Sequence, residues 1–160
     1  MPSFGGEAPV GKTTVWLTPP YILQSLGEFD LDPCSATNRP WDTAKNHFTK
    51  EDDGLARDWF GRVWLNPPYG SEMEPWLRKM AAYEQGGVAL IFARTETRVF
   101  QDYVFPYAKA LFFFRGRVRF FRPDGTEGQH AQAPSVLVSY SDYDTKALML
   151  SGLKGRLVYL

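Results

Sequence analysis

The residues with the clearest chemical potential are Asn66-Pro67-Pro68-Tyr69, which directly follow the apolar run Val63-Trp64-Leu65. Such a run predicts a short buried strand, and the paired prolines end it. In open α/β sheets, ligands bind at the carboxyl ends of strands. An Asn oxygen and a neighbouring proline carbonyl can accept from an exocyclic NH2 group, while a Tyr ring stacks on the heterocycle that carries it. The stretch therefore predicts a site that binds the amino group of a flat base. The alternative, purely structural interpretation is a strand followed by a Pro-Pro turn.

The segments upstream of this stretch predict a helix and a second strand end. Thr18 before Pro19 and Pro20 is typical of an N-cap with proline in the first turn, and the helix is expected to run to about Leu26. Residues 28–33 alternate polar and apolar side chains before a proline, which predicts a strand whose end presents Asp32. Residues 35–46 are polar and are interpreted as a loop.

The downstream segments predict further helices and strands in alternation. Helices are predicted at 72–83 and, interrupted by Pro106, at 96–107, with a small one after 142. Strands are predicted at 62–65, 88–93, 110–114, 116–121 and 135–140, with a last one near the C-terminus. A turn at 123–125 and a polar loop at 129–134 separate the later strands. The fold class is therefore α/β, a mostly parallel sheet with an appended antiparallel hairpin.

Composition places the chain among ordinary globular proteins. Its 160 residues suffice for one domain, assigned to 13–160 after a flexible tail at 1–12. Lys plus Arg and Asp plus Glu both number 18, which excludes a global basic field of the kind many nucleic-acid binders carry. The single Cys34 excludes an internal disulfide, and no apolar run is long enough for a signal peptide or membrane span. We expect a soluble cytoplasmic protein without a membrane partner or a metal site.

Taken in order, these segments resemble the adenine-N6 DNA methyltransferases that use S-adenosylmethionine and, more narrowly, the small Dam-type enzymes of bacteriophages and prophages. That resemblance implies a Rossmann-like methyltransferase fold and a location in the cytoplasm of a bacterial host. The blocks that carry the resemblance span about residues 16–140 and are Trp16-Leu17-Thr18-Pro19-Pro20, Asp30-Leu31-Asp32-Pro33-Cys34, Asp52-Asp53-Gly54-Leu55, Trp59, Val63 to Gly70, Ala93-Arg94-Thr95-Glu96-Thr97 and Gly116-Arg117-Val118-Arg119-Phe120.

The resemblance implies roles for the residues around the first strand ends. Asn66 and the Pro67 carbonyl would accept hydrogen bonds from the adenine amino group. Pro68 and Tyr69 would complete this catalytic motif, with Tyr69 stacking on a flipped-out base. Catalysis would come from positioning and preorganised dipoles rather than a covalent intermediate. The residues implied to surround S-adenosylmethionine are Trp16, Thr18, Pro19, Asp32, Pro33, Cys34, Asp52 and Asp53.

DNA contacts are expected from a basic strand. Arg115, Arg117 and Arg119 alternate along the predicted hairpin and could share one face toward phosphates. Phe120 or Phe121 could form a second wall of the base pocket, although a solvated basic face over a Phe-rich core explains the same pattern. The chain has no spare segment for a large recognition domain, so sequence choice must come from loops, from a second subunit in a homodimer, or be relaxed.

The sequence departs from the broad methyltransferase pattern and leaves other assignments open. Ser35-Ala36-Thr37 stands where a Gly-x-Gly loop would follow Asp32, and about thirty residues separate the two strand ends, so the usual helix and second strand must be shortened or lost. Protein glutamine methyltransferases share Asn-Pro-Pro-Tyr and are one alternative class. Cytosine-N4 DNA methyltransferases are a second alternative, nearer in substrate to the adenine-N6 enzymes. A catalytically degenerate nucleic-acid-binding module is the non-enzymatic alternative.

Overall fold

The computed structural model describes residues 15–160. The predicted tail at 1–12 lies outside the described residues. Along the chain, the helices are α1 (Pro20–Leu26), α2 (Met73–Ala82) and α3 (Asp142–Leu150), with a 3-10 turn at Gly70–Glu72 and a π-helical turn at Phe100–Val104. The strands are β1 (Leu31–Asp32), β2 (Asn46–His47), β3 (Val63–Leu65), β4 (Gly87–Phe92), β5 (Ala110–Phe114), β6 (Arg119–Phe121), β7 (Glu127–His130), β8 (Ser135–Ser139) and β9 (Gly155–Tyr159).

Seven of these strands form one mixed sheet in the order β2-β1-β3-β4-β8-β5-β9. Strands β2, β1, β3 and β4 are parallel to one another, and β8 pairs antiparallel with both β4 and β5. Because β5 thereby shares the direction of β4, only β8 and β9 run the opposite way. β6 and β7 form a separate antiparallel pair, here called the hairpin. The predicted combination of a mostly parallel sheet and an antiparallel hairpin is confirmed.

Side chains of the sheet alternate between two buried layers, as the period of two requires. Trp64 packs on the face covered by α1, α3 and the hairpin, whereas Val63 and Leu65 pack on the face covered by α2 and the π-helical turn. Every residue of β4 is buried, because this central strand is covered on both faces. Asn66 follows Leu65 and so returns to the Trp64 side of the sheet, toward the segment that precedes α1.

A buried ion pair joins two residues that are 82 positions apart in the chain. The Arg62 Nε donates to Asp144 Oδ1 at 2.6 Å, and Asp144 on α3 is 1% exposed. The Arg62 guanidinium also lies 4.0 Å from the centroid of the Phe29 ring and donates to the Leu26 carbonyl. One side chain therefore connects the end of α1, the residue before β3 and the first turn of α3.

Several local predictions are confirmed, including α2, β4, β5, β8, the terminal helix and strand, and the turn at 123–125. The strand predicted at 28–33 is confined to Leu31–Asp32, and the helix predicted at 96–107 is limited to residues 98–104, mostly as a π-helical turn. The loop prediction for 35–46 missed the start of β2, whose two residues carry no apolar pattern. The loop predicted at 129–134 begins inside β7.

None of the helices within residues 15–160 combines the length and the apolar character needed to cross a membrane.

Candidate active site at the carboxyl ends of β1 and β3

The sheet reverses its winding between β1 and β3. The chain leaves β1 toward β2 on one side and then crosses back to place β3 on the other side of β1. Such a reversal leaves a crevice outside the carboxyl ends of the two strands, where open α/β sheets bind ligands. The segments that follow these two ends are Asp32-Pro33-Cys34 and Asn66-Pro67-Pro68-Tyr69. The topology thus brings together the two segments that the sequence singled out.

The Asn66 carboxamide is oriented by two oxygens of the segment before α1. Its Nδ2 donates to the Thr18 hydroxyl at 3.3 Å and to the Trp16 carbonyl at 3.5 Å. Its Oδ1 is buried and accepts no hydrogen bond from any residue in the described part of the chain. An unsatisfied buried acceptor costs about 1–3 kcal/mol, so a donor on a bound substrate would relieve this cost. The side chain is half-buried rather than enclosed in the core.

Thr18 does not cap α1, which corrects the prediction. The N-cap is Pro19, without a side-chain hydrogen bond, and helix α1 starts at Pro20. Thr18 is instead 2% exposed, and its carbonyl accepts from the Trp41 indole at 3.2 Å. The hydroxyl is turned toward Asn66 because the extended backbone at Pro19 directs the preceding residue toward the sheet rather than over the first turn of the helix.

Pro67 and Tyr69 differ in what they offer a ligand. Pro67 is buried, and its carbonyl accepts no hydrogen bond from residues 15–160, which leaves a second acceptor beside Asn66. The Tyr69 ring stacks on Phe92 with centroids 4.4 Å apart and an interplanar angle of 16°. Burial raises the pKa of the Tyr69 hydroxyl, so the phenol stays protonated. Tyr69 and Phe92 both line a mainly apolar cavity of about 240 Å³. Asn66 does not line this cavity.

The Asp32 carboxyl is buried, and both of its oxygens accept hydrogen bonds from nearby protein groups. Oδ1 accepts from the Cys34 amide at 3.0 Å, and Oδ2 accepts from the Thr43 hydroxyl at 2.5 Å. Burial raises its pKa to about 6, against the opposing effects of these hydrogen bonds and of Arg39. Burial also raises the pKa of the Cys34 thiol, helped by the charges of Asp32 and Glu72. Asp32 therefore organises the end of β1, and Cys34 is a packed thiol rather than a nucleophile.

The acidic turn lies directly against the end of β1. A Cβ added to Gly54 would meet the Pro33 carbonyl oxygen at 2.0 Å, so only glycine allows this approach. The Asp52 carboxylate caps the turn by accepting from the Thr49 amide at 2.9 Å, which lowers its pKa. Asp53 has φ 57°, a left-handed conformation that Asp tolerates, and its exposed carboxylate contacts no donor among the described residues. Of the two carboxylates, Asp53 is the one available to a ligand.

Trp16 connects the candidate site to the hairpin. Its ring lies over Gly128 of β7, where an added Cβ would come within 2.4 Å of the indole. The next residue, Leu17, forms an antiparallel bridge with Phe121 through hydrogen bonds of 2.7 and 3.0 Å. The segment from Trp16 to Thr18 is therefore held by the hairpin on one side and contacts Asn66 on the other.

The predicted DNA-contact residues do not share one strand face, which corrects the premise of that prediction. Arg115 and Arg117 lie in the irregular connection between β5 and β6, and only Arg119 belongs to a strand. All three are exposed, but Arg119 pairs with Glu127 at 3.3 Å, and Arg117 donates to the Ala131 carbonyl. The side chains of all three therefore stay at the surface, but the backbone does not align them on one face.

The two aromatic candidates for a second pocket wall are packed against other residues of the protein. Phe120 is 0% exposed within the core layer beneath the hairpin, which overturns its predicted position at an open pocket. Phe121 is half-buried and meets Trp41 edge-on, with centroids 5.2 Å apart. The aromatic partner that the structure gives Tyr69 is Phe92, which the sequence showed only as the last apolar residue of a strand.

Sequence reasoning also missed Thr43 and Arg94. Thr43 holds the Asp32 carboxyl from within a segment interpreted as a loop, and no pattern in the sequence indicates that contact. Arg94 lines the cavity beside Tyr69. Its position two residues after the end of β4, at the carboxyl edge of the sheet, was a signal that could have identified it.

The comparison with protein families gives a match over nearly the whole chain. The model of the family described as DNA N-6-adenine-methyltransferase (Dam) matches residues 6–156. Neither the curated proteins nor the solved structures include one that matches the chain.

Proposed function

The chain belongs to this Dam family of DNA N6-adenine methyltransferases, and we propose that it transfers a methyl group from S-adenosylmethionine to N6 of a flipped-out adenine in DNA, with release of S-adenosylhomocysteine and of one N6 proton. The observation that carries the proposal is the pair of unsatisfied acceptors at the reversal of the sheet, Asn66 Oδ1 and the Pro67 carbonyl. An exocyclic amino group has two protons, one for each of these two oxygens.

The roles of the chain's own residues follow from these contacts. Hydrogen bonds from the amino group to Asn66 Oδ1 and the Pro67 carbonyl would hold its nitrogen in place and make its lone pair more available. S-adenosylmethionine, when bound, supplies an electrophilic methyl group on a positively charged sulfur. Because these two acceptors are fixed before the substrate arrives, the contribution to catalysis is positioning and preorganised polarity. The protonated Tyr69 and the high-pKa Cys34 supply no base or nucleophile.

Some of the residues around the crevice fit S-adenosylmethionine as the methyl donor, and others do not contact it directly. Asp53 offers an exposed carboxylate without a partner in the described part of the chain, suited to an amino or hydroxyl donor. Pro33 and Gly54 set the distance between this turn and the end of β1. Trp16, Pro19 and Cys34 would contribute walls, whereas Asp32, Asp52 and Thr18 are engaged with protein groups. We propose that these three act by holding their segments rather than by direct contact with the donor.

The finer assignments of fold, assembly and origin belong to the same proposal. The reversal between β1 and β3, with helices on both faces, supports a Rossmann-like arrangement of a single domain at 13–160. A homodimer would add recognition surface, and the exposed Val158, Tyr159 and Leu160 at the edge strand β9 offer a place for it. A phage or prophage origin, a role in restriction or its evasion, and action in the bacterial cytoplasm rest on the sequence resemblance.

The decisive experiment is transfer of label from tritiated S-adenosylmethionine to unmethylated DNA, followed by nucleoside analysis. The expected product is N6-methyladenine, with turnover lowered by orders of magnitude in Asn66→Ala and unchanged in the control Asn38→Ala, an exposed asparagine. Label in N4-methylcytosine or on a glutamine-containing protein substrate would move the assignment to those classes. Binding of DNA without label transfer would assign the chain to non-catalytic binders.

A further inference from the structure

The cavity beside Tyr69 has a chemical character different from that of the crevice at β1 and β3. Its walls are mainly apolar and include Phe92 at the end of β4, Met73 at the start of α2 and Val99 before the π-helical turn. Its volume of about 240 Å³ lies below the roughly 300–1,000 Å³ of sites that hold drug-sized ligands. The space therefore suits one flat ring system rather than a whole nucleoside donor.

Arg94 places a positive charge at this cavity. Its side chain is exposed, and the guanidinium carbon lies 5.7 Å from the centroid of the Phe92 ring. Thr97 fixes the loop by donating to the Arg94 carbonyl from its hydroxyl at 2.7 Å and from its amide at 3.1 Å. The backbone at Arg94 is thus held while its long side chain stays accessible.

The charge of Arg94 is not neutralised within the described chain. No carboxylate in residues 15–160 lies within 4.0 Å of its guanidinium. The neighbouring arginines behave differently, because Arg98 and Arg78 both pair with Glu74, at 2.8 and 3.0 Å. An unpaired arginine next to an apolar cavity is suited to a ligand that carries a flat ring and an anionic group together.

We propose that Arg94 binds the phosphate of the DNA nucleotide whose base enters the cavity beside Tyr69. This inference rests on the proposed function, and it adds a DNA contact to those expected from Arg115, Arg117 and Arg119. The guanidinium forms paired hydrogen bonds to phosphate oxygens, while the apolar walls and the Tyr69–Phe92 stack receive the ring. Tyr69 lines the cavity three residues after Asn66, so one continuous segment joins the cavity to the two unsatisfied acceptors.

The test compares Arg94→Ala with Arg94→Lys and with Arg98→Ala as the matched control. Binding of a fluorescein-labelled unmethylated duplex is followed by anisotropy over a series of salt concentrations. Arg94→Ala is expected to bind about tenfold more weakly at low salt and to reduce the slope of log affinity against log salt by about 0.9, the value for one phosphate contact. Arg94→Lys keeps the slope, and Arg98→Ala changes neither quantity.

A second readout excludes a merely structural effect. The thermal shift produced by S-adenosylmethionine and the melting temperature of Arg94→Ala should equal those of the wild type, while KM for DNA rises and kcat changes less. A wild-type slope and affinity in Arg94→Ala would overturn the inference. Because binding is measured without turnover, a wild type that binds DNA but transfers no label would overturn the proposed function alone.

Discussion

The Thr18 hydroxyl lies 3.3 Å from the Asn66 amide nitrogen and thereby fixes which end of the carboxamide remains an acceptor. The sequence resemblance placed Thr18 at the cofactor, whereas the structure turns it toward Asn66 of the proposed catalytic motif. The two roles have different kinetic consequences, because a positioning residue acts on kcat and a cofactor ligand acts on KM for the donor.

Replacement of Thr18 by Val separates these roles. Val preserves the branched shape but removes the acceptor, which leaves Asn66 Nδ2 with only the 3.5 Å contact to the Trp16 carbonyl. We expect kcat to fall about fivefold, in keeping with the loss of one hydrogen bond worth about 1 kcal/mol. KM for S-adenosylmethionine should stay within twofold. Thr18→Ser should restore kcat, and a raised KM with unchanged kcat would return Thr18 to the cofactor.

The two carboxylates of the acidic turn are expected to respond differently to amidation. Asp53→Asn removes an exposed charge that has no partner in the described chain, and Asn tolerates the same left-handed φ. Its affinity for S-adenosylmethionine should fall about tenfold or more, the effect of one charge-assisted hydrogen bond. Asp52→Asn should instead loosen the cap on Thr49. Calorimetric titration with cofactor measures both, and equal affinities in Asp53→Asn and wild type would contradict the assignment.

Asp32 is expected to make stability depend on pH in an unusual direction. Burial raises its pKa from 3.8 to about 6, so the folded state binds more protons than the unfolded state between these values. The contribution of this group to the free energy of unfolding is therefore full below about pH 4 and decreases until about pH 6. Relative to wild type, Asp32→Asn should gain up to about 3 kcal/mol between pH 4 and 7. Urea denaturation measures this difference, and a pH-independent difference would refute it.

The Arg62–Asp144 pair should contribute strongly to stability without taking part in the reaction. Both side chains are buried, so Asp144→Ala leaves an uncompensated guanidinium and is expected to cost about 3–5 kcal/mol. The pair of the exposed Arg78 and the half-buried Glu74 provides the control, since Arg78→Ala should cost less than about 1 kcal/mol. Chemical denaturation gives both values. A loss below about 1 kcal/mol in Asp144→Ala would show that the pair is not a structural anchor.

The sequence predicted those elements whose pattern reflects burial on both faces. The uninterrupted apolar run of β4 and the helical spacing of α2 are direct consequences of core packing, and they were located to within a residue or two. Asn66 was placed at a strand end because Pro67 and Pro68 cannot continue a ladder.

The elements that escaped prediction depend on tertiary contacts instead of local pattern. Strand β2 contains only Asn46 and His47, which are ordered by pairing with β1. Thr18 is a residue type that is typical of a helix N-cap, but its hydroxyl accepts a hydrogen bond from Asn66, 48 residues away. Phe120 was predicted at a pocket wall, but its side chain is buried in the core, where the hairpin pairs with the segment before α1.

The bridge between Leu17 and Phe121 joins the hairpin, where DNA contacts are proposed, to the segment that orients Asn66, so the two cannot be inherited separately in this protein. A hairpin exchanged from another member of the family would bring its own backbone register and would shift the two oxygens that aim Asn66. Altering target preference by grafting would therefore demand compensating changes at positions 16–18, and chimaeras that ignore this requirement should be slow enzymes even when they bind DNA well.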